Sequence, residues 1–380
     1  MKPLERMHSY DAFRIFWMGW KLQGVYTVEN LRFYHIIHMA TIIITINITT
    51  SIMFIGQLFF VESFKELLGN LTMGLCLIIC GYKYLIFLMM RRHLVRIRET
   101  WERLDVRPTT KLQREHMESI CKRCNRLATL MFSSYMTVNA LFVIHAGFSH
   151  RERLAFPVWV PYDWSNSAVL YWITWMYQGI AQFFFCVQQA GNDVTGPIFL
   201  YILKTHLKII MGRIENISPD PNKSDWENCQ ELIDCIEDHR LIMDVFDVLQ
   251  GTVSYTILFQ FIGTAIVFCM NILLYFLYTL SLTEVLILML FLFAEIVEIL
   301  PCCYFSNEFM SSTDEFVTAI YSTDWTGQNP KFKKLMIIFM EMTQETKVII
   351  AGKIIPVTLA TFVSIMKISY SMFTVASQFQ

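Results

Sequence analysis

Four ionisable side chains, Lys83, Glu295, Glu298 and Lys367, sit within stretches otherwise apolar enough to cross a bilayer. A charge at such depth is costly unless it is paired or wet, so each is a candidate functional group. Lys83 and Glu298 fall at similar depths along their segments, which predicts a structural ion pair. Nothing in the chain points to an enzyme. There is no nucleophile elbow, Gly-rich phosphate loop or HExxH, and His35, His38, His93, His116 and His239 are scattered over basic or amphipathic stretches. Cys121 and Cys124 form one CxxC, but no second ligand pair follows at zinc spacing, so they read as two thiols one helical turn apart. The ten cysteines imply no disulfide framework, and neither a metal nor a cofactor is expected.

A second set of residues is suited to recognition. Tyr171, Trp175, Gln178 and Gln182 recur at helical spacing and share one face, which carries hydrogen-bonding tips on large side chains. Met73, Cys76 and Leu77, then Asn139 and Phe142, then Tyr275 and Tyr278 occupy the corresponding half of three other apolar segments. An apolar pocket with a few convergent polar groups is the usual form of a small-molecule site. Taken singly, each of these residues also fits ordinary packing inside a bundle.

The elements that must position them are membrane helices. Of the 380 residues 54% are hydrophobic, 15% aromatic and only 17% charged, outside the range of soluble domains. A net charge of −1 gives no case for nucleic acid. Seven spans are expected, at 33–60, 67–90, 127–148, 167–187, 253–280, 285–305 and 354–380, making an all-α polytopic membrane protein in one domain. The start of the chain lacks the apolar core and small-residue cleavage site of a signal peptide. Segments 1–32, 91–126, 204–249 and 306–353 hold 26 Lys and Arg, whereas 61–66, 149–166 and 281–284 hold three. That asymmetry predicts a cytoplasmic N-terminus and an extracellular C-terminus. G-protein-coupled receptors run the other way, and this chain has neither their DRY after the third span nor an Asn-Pro pair within a span.

On this topology, helical extensions at 91–126 and 195–250 and an anchor helix within 306–353 lie on the cytoplasmic side. The basic run 91–126 fits a surface beside anionic headgroups or a protein partner. Ser224 with Glu227 predicts a capping box restarting a helix after SPDPNKSD. A second polar break, TDWTGQNPKFKK, precedes the anchor helix, which is expected to run into the last span at a joint marked by Gly352 and Pro356. Outside, HRERLAFPVWVPYDWSN reads either as an ordered cover over the helix ends or as an interfacial aromatic belt. In the last span Ser364, Lys367, Ser371, Thr374 and Gln378 share one face with Ala360, Ile368 and Val375. Such a wettable stripe fits helix packing and a pore lining equally.

Two stretches carry a resemblance. FPVWVPYDW (156–164), followed by SNSAVLYWITWMYQ, resembles the second extracellular loop and fourth-helix start of insect odorant receptors, and IPVTLATFVSIMKISYSMFTV (355–375) resembles their terminal signature. The likeness runs over the whole chain. Related gustatory receptors end in TY and QF five residues apart; here Ser369-Tyr370 and Gln378-Phe379 are seven apart, which favours the odorant branch.

The resemblance implies a tetrameric, ligand-gated, non-selective cation channel in the plasma membrane of a sensory-neuron dendrite. A volatile odorant would bind in the outer half of the subunit, and an olfactory co-receptor would complete the assembly. Laid against the co-receptor's ending without gaps, Val375 takes the place of its gate valine. Ser371 and Thr374 then share the pore face, Gln378 lines the outer pore, and Phe379 stands where the co-receptor has a leucine. A gustatory-type channel of the same fold and a non-conducting membrane scaffold are the alternatives.

Overall fold

In the computed structural model, residues 9–25, 33–107, 111–148, 154–217, 224–377 are described. Within them the chain is a helical bundle built from helices much longer than their apolar stretches. The order is a 3-10 turn, Ser9–Phe13, leading into α1 (Arg14–Leu22), then α2 (Phe33–Ile42), α3 (Thr49–Gln57), α4 (Phe64–Leu104), α5 (Lys111–Gly147), α6 (Ala168–Glu215), α7 (Asp225–Leu277), α8 (Leu282–Ser322), α9 (Pro330–Thr343) and α10 (Leu359–Ser377). A π-helical stretch, Ile43–Ile48, joins α2 to α3, so the first span is continuous but locally underwound. Among the described residues six helical segments are long and apolar enough to cross a membrane. α10 is the seventh; its 19 residues reach about 28 Å, close to the hydrocarbon thickness.

Serine starts four of the five longest helices. Ser63, Ser167, Ser224 and Ser281 each accept a bond from the backbone N–H three residues on, and Ser224 with Glu227 and Ser281 with Glu284 complete capping boxes. Asn329 caps α9, with Pro330 in the first helical position.

Several boundaries differ from those read in the sequence. α6 continues through Pro197 and α8 through Pro301, because both helices are held by neighbours on most sides and lose only one internal bond at each proline. The sixth span therefore extends to Ser322, and 306–353 is the tail of α8 followed by the short α9, not one anchor helix. Nor does α9 run into the last span. A hairpin intervenes, β1 (Ile350–Ala351) against β2 (Ile355–Pro356), turning through Gly352 and Lys353, both with positive φ. The last helix consequently begins at Leu359, not at 354, and Tyr278 lies just beyond α7 instead of within the fifth span.

The hairpin is fastened to α7. The Gln250 side chain donates to the Ile350 carbonyl (2.8 Å) and accepts from its N–H (2.9 Å), Ser254 donates to the same carbonyl, and the Gly352 N–H donates to the Ser254 carbonyl. A Cβ at Gly352 would lie 2.4 Å from Leu258 Cδ2.

The main core lies where α4 to α9 run past their apolar stretches. Trp101, Phe199, Phe246, Phe309, Phe316 and Phe339 fill it, and the 3-10 turn and α1 pack Phe13, Phe16 and Trp20 into its side. Asp105 ties the start of the described chain to this core by accepting from the Ser9 N–H and hydroxyl at 2.8 and 2.5 Å. The basic run is anchored there too, since Arg107 and Arg213 converge on the buried carboxylate of Asp238 at 2.9 and 2.6 Å.

Candidate ligand-binding site

Midway along the bundle, α4, α5, α6 and α8 enclose a charged knot. Lys83 Nζ donates to Asp193 Oδ1 and to Glu298 Oε1, each at 2.7 Å, and all three side chains are about 5% exposed. Tyr135 donates to the other Asp193 oxygen at 3.1 Å, and Gln189 donates to Glu298. Nearby, Glu295 accepts from Thr264 of α7 at 3.1 Å and has a long thiol contact from Cys76 at 3.7 Å. Lys83 thus stands against two carboxylates where the sequence offered one. Asp193 lies beyond the expected fourth span, which ends at 187, on the continuation of α6.

The knot is the floor of the deeper of two chambers. The deep one, about 100 Å³, is walled by Met73, Cys76, Leu77 and Cys80 of α4, Tyr135, Val138 and Asn139 of α5, Gln182, Phe185, Cys186 and Gln189 of α6, and Phe291, Ala294, Glu295 and Glu298 of α8. The upper one, about 230 Å³, is walled by Gly69, Thr72, Met73, Phe142, His145, Ala146, Leu154, Ala155, Asn271, Leu274 and residues of α8 that include Phe291. Met73 and Phe291 stand on the wall common to both. Lys65 and Glu284, 3.5 Å apart, sit at the rim.

Loop 154–167 covers the upper chamber. Gln178 of α6 holds it by accepting from the Ala155 N–H (3.1 Å) and donating to the Phe156 carbonyl (2.9 Å), while the Trp159 N–H donates to the Met53 carbonyl. Phe156 is buried against Phe142, and Tyr162 bonds Thr174. The Ser165 hydroxyl and N–H hold the Asp163 carboxyl below the usual range and fix the turn that leads into α6. Leu154 and Ala155 line the chamber, so the loop forms its roof.

The candidate recognition residues therefore divide. Met73, Cys76, Leu77, Asn139 and Phe142 face the chambers. Tyr171, Trp175 and Gln178 do not: Tyr171 donates to the Ala146 carbonyl, Trp175 Nε1 to the Val143 carbonyl, and Gln178 holds the roof. Their polar tips, read as pocket groups, instead satisfy carbonyls of α5 and the loop. Tyr275 is 42% exposed on the outer surface of α7, and Tyr278 packs beside Leu277 away from both chambers. Of that face only Gln182 reaches the deep chamber. His145, Asn271 and Phe291 belong to the site without having been singled out, since a lone polar or aromatic residue in an apolar run has no periodic signature.

α10 packs on α7 and α8 and turns Ile365 and Ser369 inward. Its opposite face leaves Ser364, Lys367, Ser371 and Val375 exposed, with Thr374 half-buried. Gln378 and Phe379 lie outside the described residues.

A family model described as 7tm Odorant receptor matches residues 63–370. The chain belongs to this family. It is 25% identical to odorant receptor 33a and 26% identical to odorant receptor 33b of Drosophila melanogaster, over 100% and 97% of both this chain and the relative. The fold is similar to the insect olfactory receptor OR5 from Machilis hrabei, with a TM-score of 0.83, 97% of each chain covered and 17% identity. The same receptor in complex with eugenol aligns with a TM-score of 0.82 over 98% of each chain at 16% identity. Membership makes this chain a multi-pass membrane receptor, and it sets the two chambers and the exposed face of α10 in the context of odorant receptors.

Proposed function

We propose that this chain is the odorant-binding subunit of a heteromeric, ligand-gated, non-selective cation channel, completed by an olfactory co-receptor in the plasma membrane of a sensory dendrite. The observation that carries the reading is the pair of largely apolar chambers among α4 to α8, the upper one roofed by loop 154–167. A receptor of the same fold forms a complex with eugenol, which supports a small volatile occupant here. The imbalance of Lys and Arg between the segments supports a cytoplasmic N-terminus, with the roofed end outside.

The ligand buries apolar surface in the chambers and binds the open arrangement more tightly, shifting the population towards it. The face of α10 with Ser371, Thr374 and Val375 lines the shared pore, and Val375 is its gate. Lys367 lies on that exposed face. Four lysines around one axis would oppose cation entry, whereas a single one is tolerable, which supports a mixed assembly. Co-expression with a co-receptor and a panel of diverse volatiles tests this: ligand-evoked cation current is expected from the pair only. Robust current from this chain alone overturns the heteromeric reading, and silence of the pair to every volatile overturns the odorant reading.

A further inference from the structure

The polar atoms of the deep chamber are unbalanced between donors and acceptors. Asn139 commits its amide nitrogen to the Tyr135 carbonyl and Cys186 Sγ, both at 2.9 Å, which leaves its oxygen. Gln189 commits its nitrogen to Glu298, and its oxygen is buried without a partner. Glu295 has one oxygen bonded to Thr264, while the other receives only the 3.7 Å thiol contact from Cys76. Gln182, 7% exposed, has no hydrogen-bond partner among the described residues and lines the same chamber. Uncommitted N–H is confined there to the amides of Gln182 and Gln189, while the oxygens of Asn139, Gln182 and Gln189 and one oxygen of Glu295 all have room to accept. A buried acceptor without a donor is costly, and an apolar or acceptor-only occupant would leave these unmatched.

Resting on the odorant-site reading above, we infer that the deep chamber selects ligands whose polar end is a hydrogen-bond donor, an alcohol or phenol hydroxyl or an ammonium group, received by Glu295 and Gln182 while the apolar body fills the upper chamber. Asp193, Glu295 and Glu298 bring three carboxyl groups to the single ammonium of Lys83, so acceptor oxygens at and just below the chamber wall outnumber the N–H groups of that one cation. Phe142, Met73 and Phe291 supply the apolar contact and set the length of the body.

The test uses the purified full-length chain in lipid nanodiscs and ligand-induced shifts of unfolding temperature. The probes are of nearly equal size: 2-phenylethanol and 2-phenylethylamine against benzyl methyl ether and propylbenzene. The donor-bearing pair is expected to bind about tenfold more tightly, the order of one charge-assisted hydrogen bond. Glu295→Gln and the near-isosteric Gln182→Met are each expected to shrink that ratio with little change in affinity for propylbenzene. Equal affinity across the four probes overturns the donor preference and leaves the odorant site standing, as does a ratio undiminished in both variants. Absence of binding by all four removes the site itself.

Discussion

At the end of the bundle where α4 turns towards α5, Trp101, Phe309, Phe316 and Phe339 are at most 2% exposed; the first three stack on His206, Phe246 and His239, and Phe339 meets His239 edge-on. At the other end Phe142 and Phe291 look into open volume. The two regions are built from the same aromatic and aliphatic residues. The difference is in how many helices share the space: the packed end gathers α1 and α4 to α9, whereas the chambered end spreads α4 to α8 apart under a loop. Rigidity and room for a ligand are thus separated along one bundle, with the Lys83 knot at the seam.

That contrast can be broken in graded steps. Phe309→Ala at the packed end should cost about 3–5 kcal/mol of stability, the range for emptying a filled aromatic site, read from thermal or denaturant unfolding in detergent. Lys83→Met at the seam strands Asp193 and Glu298 and should cost about 3 kcal/mol, the low end for a broken buried pair because the adjacent chamber can admit water. The triple variant Lys83→Met, Asp193→Asn, Glu298→Gln should recover most of that loss; no recovery would show that the knot does not act as one charge unit. Gly352→Ala at the hairpin should cost about 1–3 kcal/mol through its positive φ and the Leu258 contact. Met73→Ala in the chamber wall should change stability by less than about 1 kcal/mol while admitting bulkier ligands in the volatile panel. Trp175→Ala should leave that panel unchanged, because the ring bonds α5 outside both chambers. A reshaped panel would restore it to the pocket.

Much of the bundle is legible in the sequence, because apolar runs of spanning length and the Ser-x-x-Glu starts at Ser63, Ser224 and Ser281 are local signals. The continuation of α6 and α8 through proline is not, since tolerance there depends on the surrounding helices. The hairpin is invisible for a related reason: its two short strands are held by Gln250, a hundred residues earlier. In the site, the small and sulfur-bearing face of α4 was readable, as was Asn139 with Phe142. The α6 face was misassigned because helical spacing shows which residues share a side but not which neighbour that side meets. Asp193 was lost to a boundary six residues too early.

The fastening of the hairpin to α7 also limits how α10 can travel. Four hydrogen bonds from Gln250, Ser254 and the Gly352 N–H fix the register between the root of α10 and α7, so sliding would break them all. Tilting about the hairpin breaks none. α7 carries Asn271 and Leu274 in the chamber wall some twenty residues beyond that fulcrum, about 30 Å along the helix axis. Under the ligand-gated reading proposed above, α7 is thus the helix that joins the chamber wall directly to the point where the root of α10 is fastened.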